Sequence, residues 1–208
     1  MIKIKNISSY NEYISLQKEK TTDPKKRKRW VEYHNEATTV FKMNFKYYDH
    51  ILQEHKKDKV YCLGARTGAE VEAFNDLGYY LALGTDLVPF RDIVIVDDIH
   101  NMQFEDNSVG LFYTNILDHS IYPKVFLSEI KRCLKDGGKA FFQLQLGAPM
   151  LKYGVLYMDD VEDFNSLLSE HDDLHILISE ENIAPPLCRG WNPDLNWNII
   201  IEKRVDKG

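Results

Sequence analysis

The stretch from Asp97 to Ser120, DDIHNMQFEDNSVGLFYTNILDHS, decides the fold. Its two leading acids close a short apolar run, Ile93 to Val96. A polar loop follows, and a second apolar run, Val109 to Thr114, stops at Asn115. Short apolar runs that end in turn-forming residues read as strands buried on both faces. Just downstream, Tyr122 to Leu134 places Val125, Phe126, Ile130 and Leu134 at helical spacing, which predicts an amphipathic helix. Asp136-Gly137-Gly138 stops that helix, and Lys139 to Leu146 reads as the next strand.

The same alternation extends outward. Upstream, Val60 to Leu63 is a strand ending at Gly64, Ala69 to Leu77 a helix stopped by Gly78, and Tyr79 to Leu83 a strand ending at Gly84-Thr85-Asp86. Downstream, Val161 to Ser169 is a helix with Phe164, Leu167 and Leu168 inward, and His175 to Ser179 and Asn198 to Ile201 are the last strands. Strands alternating with helices imply parallel βαβ units with right-handed crossovers. Two links depart from this. The link from Asp86 to Ile93 contains Pro89 and is too short for a crossover helix, so it reads as a loop or a single turn. The link through Ala184-Pro185-Pro186 to Pro193 forms no helix, which predicts an antiparallel hairpin of the last two strands.

Before residue 59 the chain is charged, aromatic and helix-like. Tyr13, Leu16 and Gln17 lie at helical spacing in one segment, and Phe41, Phe45, Tyr48, Leu52 and His55 form a stripe in another. Between them, Asp23-Pro24 reads as a helix start, with Asp as N-cap and Pro at the first position. Eight aromatic residues between Tyr10 and Tyr48 argue for burial, since disordered tails are poor in them. Residues 1–57 are therefore expected to be a helical cap or lid, with the basic run on its outer face, and residues 58–208 the main domain.

Composition narrows the function. The chain has 208 residues and a net charge of −6, but the first 60 residues hold 14 Lys/Arg against 8 Asp/Glu, so the acid is concentrated in the body. That argues against broad nucleic-acid binding by the body. The run Lys25-Lys26-Arg27-Lys28-Arg29 leaves a nucleic-acid contact open, though a solvated helix face is favoured. The longest stretch without a charge, Ala140 to Leu151, is 12 residues, too short to span a membrane. No secretory signal is recognisable at the N-terminus. Cys62, Cys133 and Cys188 form no C-x-x-C pair, so no structural metal is expected, and small buried thiols in a reducing cytoplasm are.

The turn Gly64-Ala65-Arg66-Thr67-Gly68 joins a strand to a helix start, where backbone amides can receive a carboxylate or phosphate. Eighteen residues past Gly68, Asp86 stands where a carboxylate takes ribose hydroxyls. Alone this pattern also suits a structural turn.

The stretch from Asp98 to Gly138 is more specific. Asp98, Met102, Phe104, Asp106 and Ser108, then Thr114-Asn115-x-Leu117-Asp118-His119, then Pro123-x-x-Phe126-Leu127-x-Glu129-Ile130-x-Arg132-x-Leu134-Lys135-x-Gly137-Gly138 resemble the class I S-adenosylmethionine-dependent methyltransferases of the small type 11-like domain kind. The resemblance covers about residues 59–146. It implies a Rossmann-like α/β sheet of seven strands, order 3-2-1-4-5-7-6 with strand 7 antiparallel, plus the N-terminal helices. It implies S-adenosyl-L-methionine as cofactor. Gly64, Ala65, Arg66, Thr67 and Gly68 would surround its methionine half, and Asp86 would take the ribose with Leu87 on adenine. Asp98 and the Ile99 amide would meet the adenine edge, and Asn115 would sit under the sulfonium. Cys62 departs from the family, which has an acid there to hold the cofactor ammonium, and Arg66 stands where the family has a second glycine.

Methyl transfer relies mainly on positioning, with a base needed only where the acceptor loses a proton. Asp118 and His119 are the best-placed catalytic candidates, with substrate positioning or helix capping as the alternative. Gln145, near a strand end, is a candidate for the acceptor pocket, and His100 reads as structural. The acceptor expected is a small molecule or sugar with a hydroxyl. A nucleic-acid or protein methyltransferase and a non-catalytic cofactor-binding protein are the alternatives. A nicotinamide oxidoreductase fits worst, because G-x-G-x-x-G is absent.

Overall fold

The computed structural model describes residues 1–182 and 195–204. The chain opens with a two-residue strand β1 (Lys3–Ile4) and three helices, α1 (Tyr10–Thr22), α2 (Pro24–Glu32) and α3 (His34–Tyr47). A short α4 (Asp49–Leu52) leads into the first core strand. Ser9 caps α1 by accepting from the Glu12 amide, and Asp23 caps α2 by accepting from the Lys25 and Lys26 amides. The main domain continues as β2 (Val60–Leu63), α5 (Ala69–Asp76), β3 (Ala82–Asp86), β4 (Val94–Val96), β5 (Val109–Thr114), α6 (Pro123–Cys133) and β6 (Leu134–Leu144). It ends as β7 (Leu156–Tyr157), α7 (Val161–Leu168), β8 (Leu174–Glu181) and β9 (Trp197–Lys203).

Seven strands form one sheet in the order β4-β3-β2-β5-β6-β9-β8. In chain order of the sheet this is 3-2-1-4-5-7-6, as expected. β9 is antiparallel to both β6 and β8, and the other pairings are parallel. The Pro-rich link expected to form the last turn lies outside the described residues. Successive residues of β5 face opposite layers, as strand geometry requires. Leu111 and Tyr113 join the layer holding Phe41, Phe45 and Phe74, while Phe112 joins Phe126, Phe142 and Phe164. The Phe45 and Phe74 rings stack at 4.0 Å, which ties α3 to α5.

Three boundaries differ from expectation. β3 begins at Ala82, not Tyr79, because Tyr79 is drawn into the turn: its hydroxyl donates to Asp49 at 2.8 Å and its amide to Phe74 O. β6 begins directly at Leu134, and the Gly137-Gly138 turn becomes an irregularity within the strand. β1 and β7 form a second, two-stranded antiparallel sheet that tandem-run patterns do not show. The basic run is also not on one outer face. With Trp30 buried, the helical repeat carries Lys26 and Arg29 round to line a cleft, while Lys25 and Lys28 stay exposed.

Candidate active site

Two adjoining clefts open at the C-terminal ends of the parallel strands. This is the place where open α/β sheets bind ligands. The narrower one has about 60 Å³ of solvent-fillable space and is lined by Gly64, Thr85, Asp86, Leu87, Asp97 and Ile99 from the sheet side. Helix α1 lies across it with Tyr13, Gln17, Lys20 and Thr21. The broader one has about 710 Å³ and is lined by α2, by Asn115, Asp118 and Gln145, and by the loop from Ala148 to Gly154. Lys20, Arg66, Ile116 and His119 line both and mark their junction.

The turn after β2 depends on its glycines. Gly64 sits at φ +74°, and a Cβ there would meet the Ile116 side chain at 2.6 Å. Gly68, at φ +77°, ends the turn as the N-cap of α5. Gly64→Ala combines a left-handed backbone with this clash and should destabilise the fold by about 2–4 kcal/mol, read by urea unfolding. Arg66 itself takes φ +44° and places its guanidinium over the Trp30 ring at 4.5 Å. Ala65 and Thr67 are buried in the turn, with the Thr67 hydroxyl without a hydrogen-bond partner among the described residues.

Asp86 accepts from the Val88 amide at 2.9 Å, and burial raises its carboxyl above the ordinary range. Asp98 is engaged by α1 and by its own turn. It accepts from the Tyr10 hydroxyl at 2.5 Å and from the His100 amide at 3.0 Å, so it anchors α1. Its neighbour Asp97 lines the narrow cleft, with one oxygen taken by the Gln103 amide and the other buried without a partner among the described residues. His100 belongs to this anchor through Tyr10 and Ser120. Gln143 is held within the sheet by Tyr113 and Asn198, whereas Gln145 lines the broad cleft.

Two further residues bear on the site: Lys20 lines both clefts, and Glu70 is buried behind the lining, near Arg66, Asp86 and Asn115. Glu70, on the first turn of α5, is fully buried beside Cys62, with one carboxylate oxygen lacking a partner among the described residues. Burial pushes its carboxyl up to about 7, against the pull of Arg66 and an Asn115 hydrogen bond. Lys20, from α1, meets the imidazole of His119, with Nζ to Nε2 at 2.5 Å. His119 Nδ1 faces the Tyr153 carbonyl at 2.8 Å. A carbonyl only accepts, so Nδ1 carries the proton and the Nε2 lone pair receives Lys20. Asp118 lies 3.5 Å from Nε2. Burial and then Arg66 lower the Lys20 ammonium, burial and then Lys20 lower His119, and burial raises Asp118. No group of His, Cys, Asp and Glu among the described residues is arranged to hold a metal ion.

Residues 61–142 match the methyltransferase domain family. No curated protein matches the chain by sequence. Among solved structures, it is similar to the Burkholderia thailandensis 1,6-didemethyltoxoflavin-N1-methyltransferase, solved with its substrate and S-adenosylhomocysteine. The TM-score is 0.67 at 14% identity, covering 97% of this chain and 92% of that one. An S-adenosylmethionine-dependent methyltransferase of Thermotoga maritima is similar with TM-score 0.61 at 12% identity, covering 91% of this chain and 100% of that one. A Haloferax volcanii methyltransferase solved with its Trm112 activator follows with TM-score 0.59 at 15% identity, covering 88% and 99%. The sheet order agrees with the domain match: residues 61–142 match a methyltransferase domain, and the chain has the fold of the solved S-adenosylmethionine-dependent methyltransferases. No helix among the described residues is long and apolar enough to cross a membrane.

Proposed function

We propose that the chain binds S-adenosylmethionine in the narrow cleft and methylates a hydroxyl of a small molecule held in the broad one. The observation that carries this reading is the junction, where Lys20 and His119 line both clefts at once. The cofactor, when bound, supplies a methyl group on a sulfonium that departs as a neutral thioether. The residues suit it. Gly64 lines the cleft from its left-handed turn, Asp86 offers a carboxylate to the ribose with Leu87 beside it, and the Asp97 oxygen that lacks a partner among the described residues is a site for an adenine amino group. Ile99 lines the same cleft, and Gly68, Ala65 and Thr67 shape the turn. Glu70 supplies the acid that position 62 lacks, for the methionine ammonium, with Asn115 beside it. The Lys20 amine, once unprotonated, takes the proton from the acceptor hydroxyl, and His119 orients that amine through its fixed Nδ1–H tautomer. Asp118 adds negative charge that favours the lysinium product.

Residues 1–57 act in this reading as a lid over residues 58–208. The space left under α1 holds only a few waters, so α1 lifts to admit the cofactor. Tyr10 fastens the helix to Asp98. Tyr10→Phe should speed cofactor association in stopped-flow fluorescence, and an unchanged rate would remove Tyr10 from the gating. The buried free thiols of Cys62 and Cys133 support a cytoplasmic location.

The test is cofactor binding. Asp86→Ala should weaken S-adenosylhomocysteine by about 1–3 kcal/mol in calorimetry, the scale of a lost hydrogen bond to a charged group. Equal affinity in a folded variant would sink the assignment.

A further inference from the structure

One backbone carbonyl receives two side-chain donors from distant parts of the chain. The Tyr153 carbonyl accepts from His119 Nδ1 at 2.8 Å and from Gln17 Nε2 at 3.0 Å. A carbonyl oxygen has two lone pairs, so it can accept both bonds at once. His119 stands just beyond β5, Tyr153 in the loop after β6, and Gln17 within α1. Gln17 and Tyr153 are each 8% exposed, so the bridge is largely shielded from water. Gln17 lines the narrow cleft and Tyr153 the broad one, which puts the bridge between the two.

Other contacts hold the same loop, but not through this oxygen. Lys152 pairs with Glu19 at 2.6 Å, the Tyr153 hydroxyl donates to Glu19 at 3.2 Å, and Lys26 lies over the Tyr153 ring at 4.2 Å. The Val155 amide donates to the Asp118 carbonyl at 2.8 Å. Each of these acts on a side chain or on a neighbouring peptide. Gln17 acts on the carbonyl that His119 uses.

That carbonyl bears on Lys20 through the imidazole. In a neutral imidazole the partner of one nitrogen sets which nitrogen carries the proton. With Nδ1–H on Tyr153, Nε2 offers a lone pair, and Lys20 meets it with an N–H at 2.5 Å. An unprotonated Lys20 amine then keeps its own lone pair for another proton. With Nε2–H the roles reverse, and the amine spends its lone pair on His119.

We propose that Gln17 is a positioning residue for the Lys20–His119 pair: by holding the Tyr153 carbonyl, it keeps His119 protonated on Nδ1 and leaves the Lys20 lone pair to act as base. This rests on the reading of Lys20 as the base and adds the residue that keeps its lone pair available. Gln17 stands three residues before Lys20 on α1, so one helix brings both groups to the same face of the site. The base is therefore assembled only while α1 lies across the sheet.

The experiment needs no acceptor. Imidazole ¹⁵N spectra of the full chain are recorded at pH 8 without and with excess S-adenosylhomocysteine, the His119 signal being assigned by its loss in His119→Gln. Wild-type His119 should be the Nδ1–H form. Gln17→Met keeps the length and loses the donor. It should raise the Nε2–H share about 2–10-fold, the scale of one weakened hydrogen bond. Gln17→Leu should do the same and serves if the methionine variant does not fold. Glu19→Gln, which removes the exposed Lys152 ion pair on the same loop, should change stability little and leave the imidazole as in wild type. An unchanged tautomer in a folded Gln17 variant would overturn the proposal, as would an Nε2–H imidazole in the wild type. An equal shift in Glu19→Gln would overturn it too, by assigning the effect to anchoring of the loop as a whole. Calorimetry on the same samples keeps the two readings apart. If the wild type takes no S-adenosylhomocysteine while the Gln17 variants shift the imidazole, the methyltransferase reading fails and the positioning role stands.

Discussion

Substituting Lys20 with methionine should lower kcat for methyl transfer by about 10²–10⁴-fold, the range of lost general acid–base catalysis. The wild-type rate should rise with pH, because only the unprotonated amine accepts a proton. The limb should fall well below the ordinary lysine value of about 10.4. Burial and Arg66, with Lys26, lower the group, and Asp118 and Asp86 oppose them, while His119 faces it directly. Lys20→Met should remove this limb. A readout free of any acceptor is the imidazole ¹⁵N spectrum. His119 should remain the neutral Nδ1–H tautomer well below its usual pKa, and Lys20→Met should move its protonation upward. A variant with normal kcat and an unchanged pH profile would make the Lys20–His119 contact structural only.

The second large effect concerns Glu70. Glu70→Gln should weaken S-adenosylhomocysteine about 10–100-fold at pH 8, the scale of losing a charged hydrogen-bond partner in a buried site. The wild-type affinity should rise as pH increases through about 7, since the ammonium requires the ionised carboxylate. The variant's affinity should be flat over that range. Stability carries the opposite sign. A folded-state value raised above the unfolded one contributes stability that is fully present at low pH and lost as pH rises through about 7. Glu70→Gln should therefore melt higher than the wild type at pH 8, which shows that it is folded. A flat wild-type affinity profile would remove Glu70 from the cofactor site.

The sheet was legible because its strands are short, apolar and bounded by turn residues. Val109–Thr114 is found with the limits its pattern predicts, since all six residues are buried and the run breaks at Asn115. The hairpin of β8 and β9 followed from a link unable to form a crossover helix. The start of β3 was not legible, because Tyr79 reads as a strand aromatic until Asp49, thirty residues earlier, is seen to accept its hydroxyl. The β1–β7 pair joins segments over 150 residues apart and has only two residues on each side.

The site divides in the same way. Gly64, Asp86 and Leu87 sit in the narrow cleft because local strand and turn geometry places them there. Lys20 carries no local signal, being one lysine among many on a charged helix, and only the fold of α1 across the sheet brings it to His119. Glu70 looked like an ordinary acid in the first turn of a helix. A signal for the proposed role did exist: Cys62 stands where the resemblance leads one to expect an acid, and Glu70 is an acid on the next element. Asp98 was legible as an acid at the strand end, but its bond to Tyr10 and the presence of Asp97 in the cleft lining were not.

The most direct measurement is a calorimetric titration of the wild-type chain with S-adenosylmethionine, S-adenosylhomocysteine and NAD. The account predicts saturable binding at one site per chain for the first two, tighter at pH 8 than at pH 6, and none for NAD. Binding of NAD with no heat from either sulfur compound would contradict it.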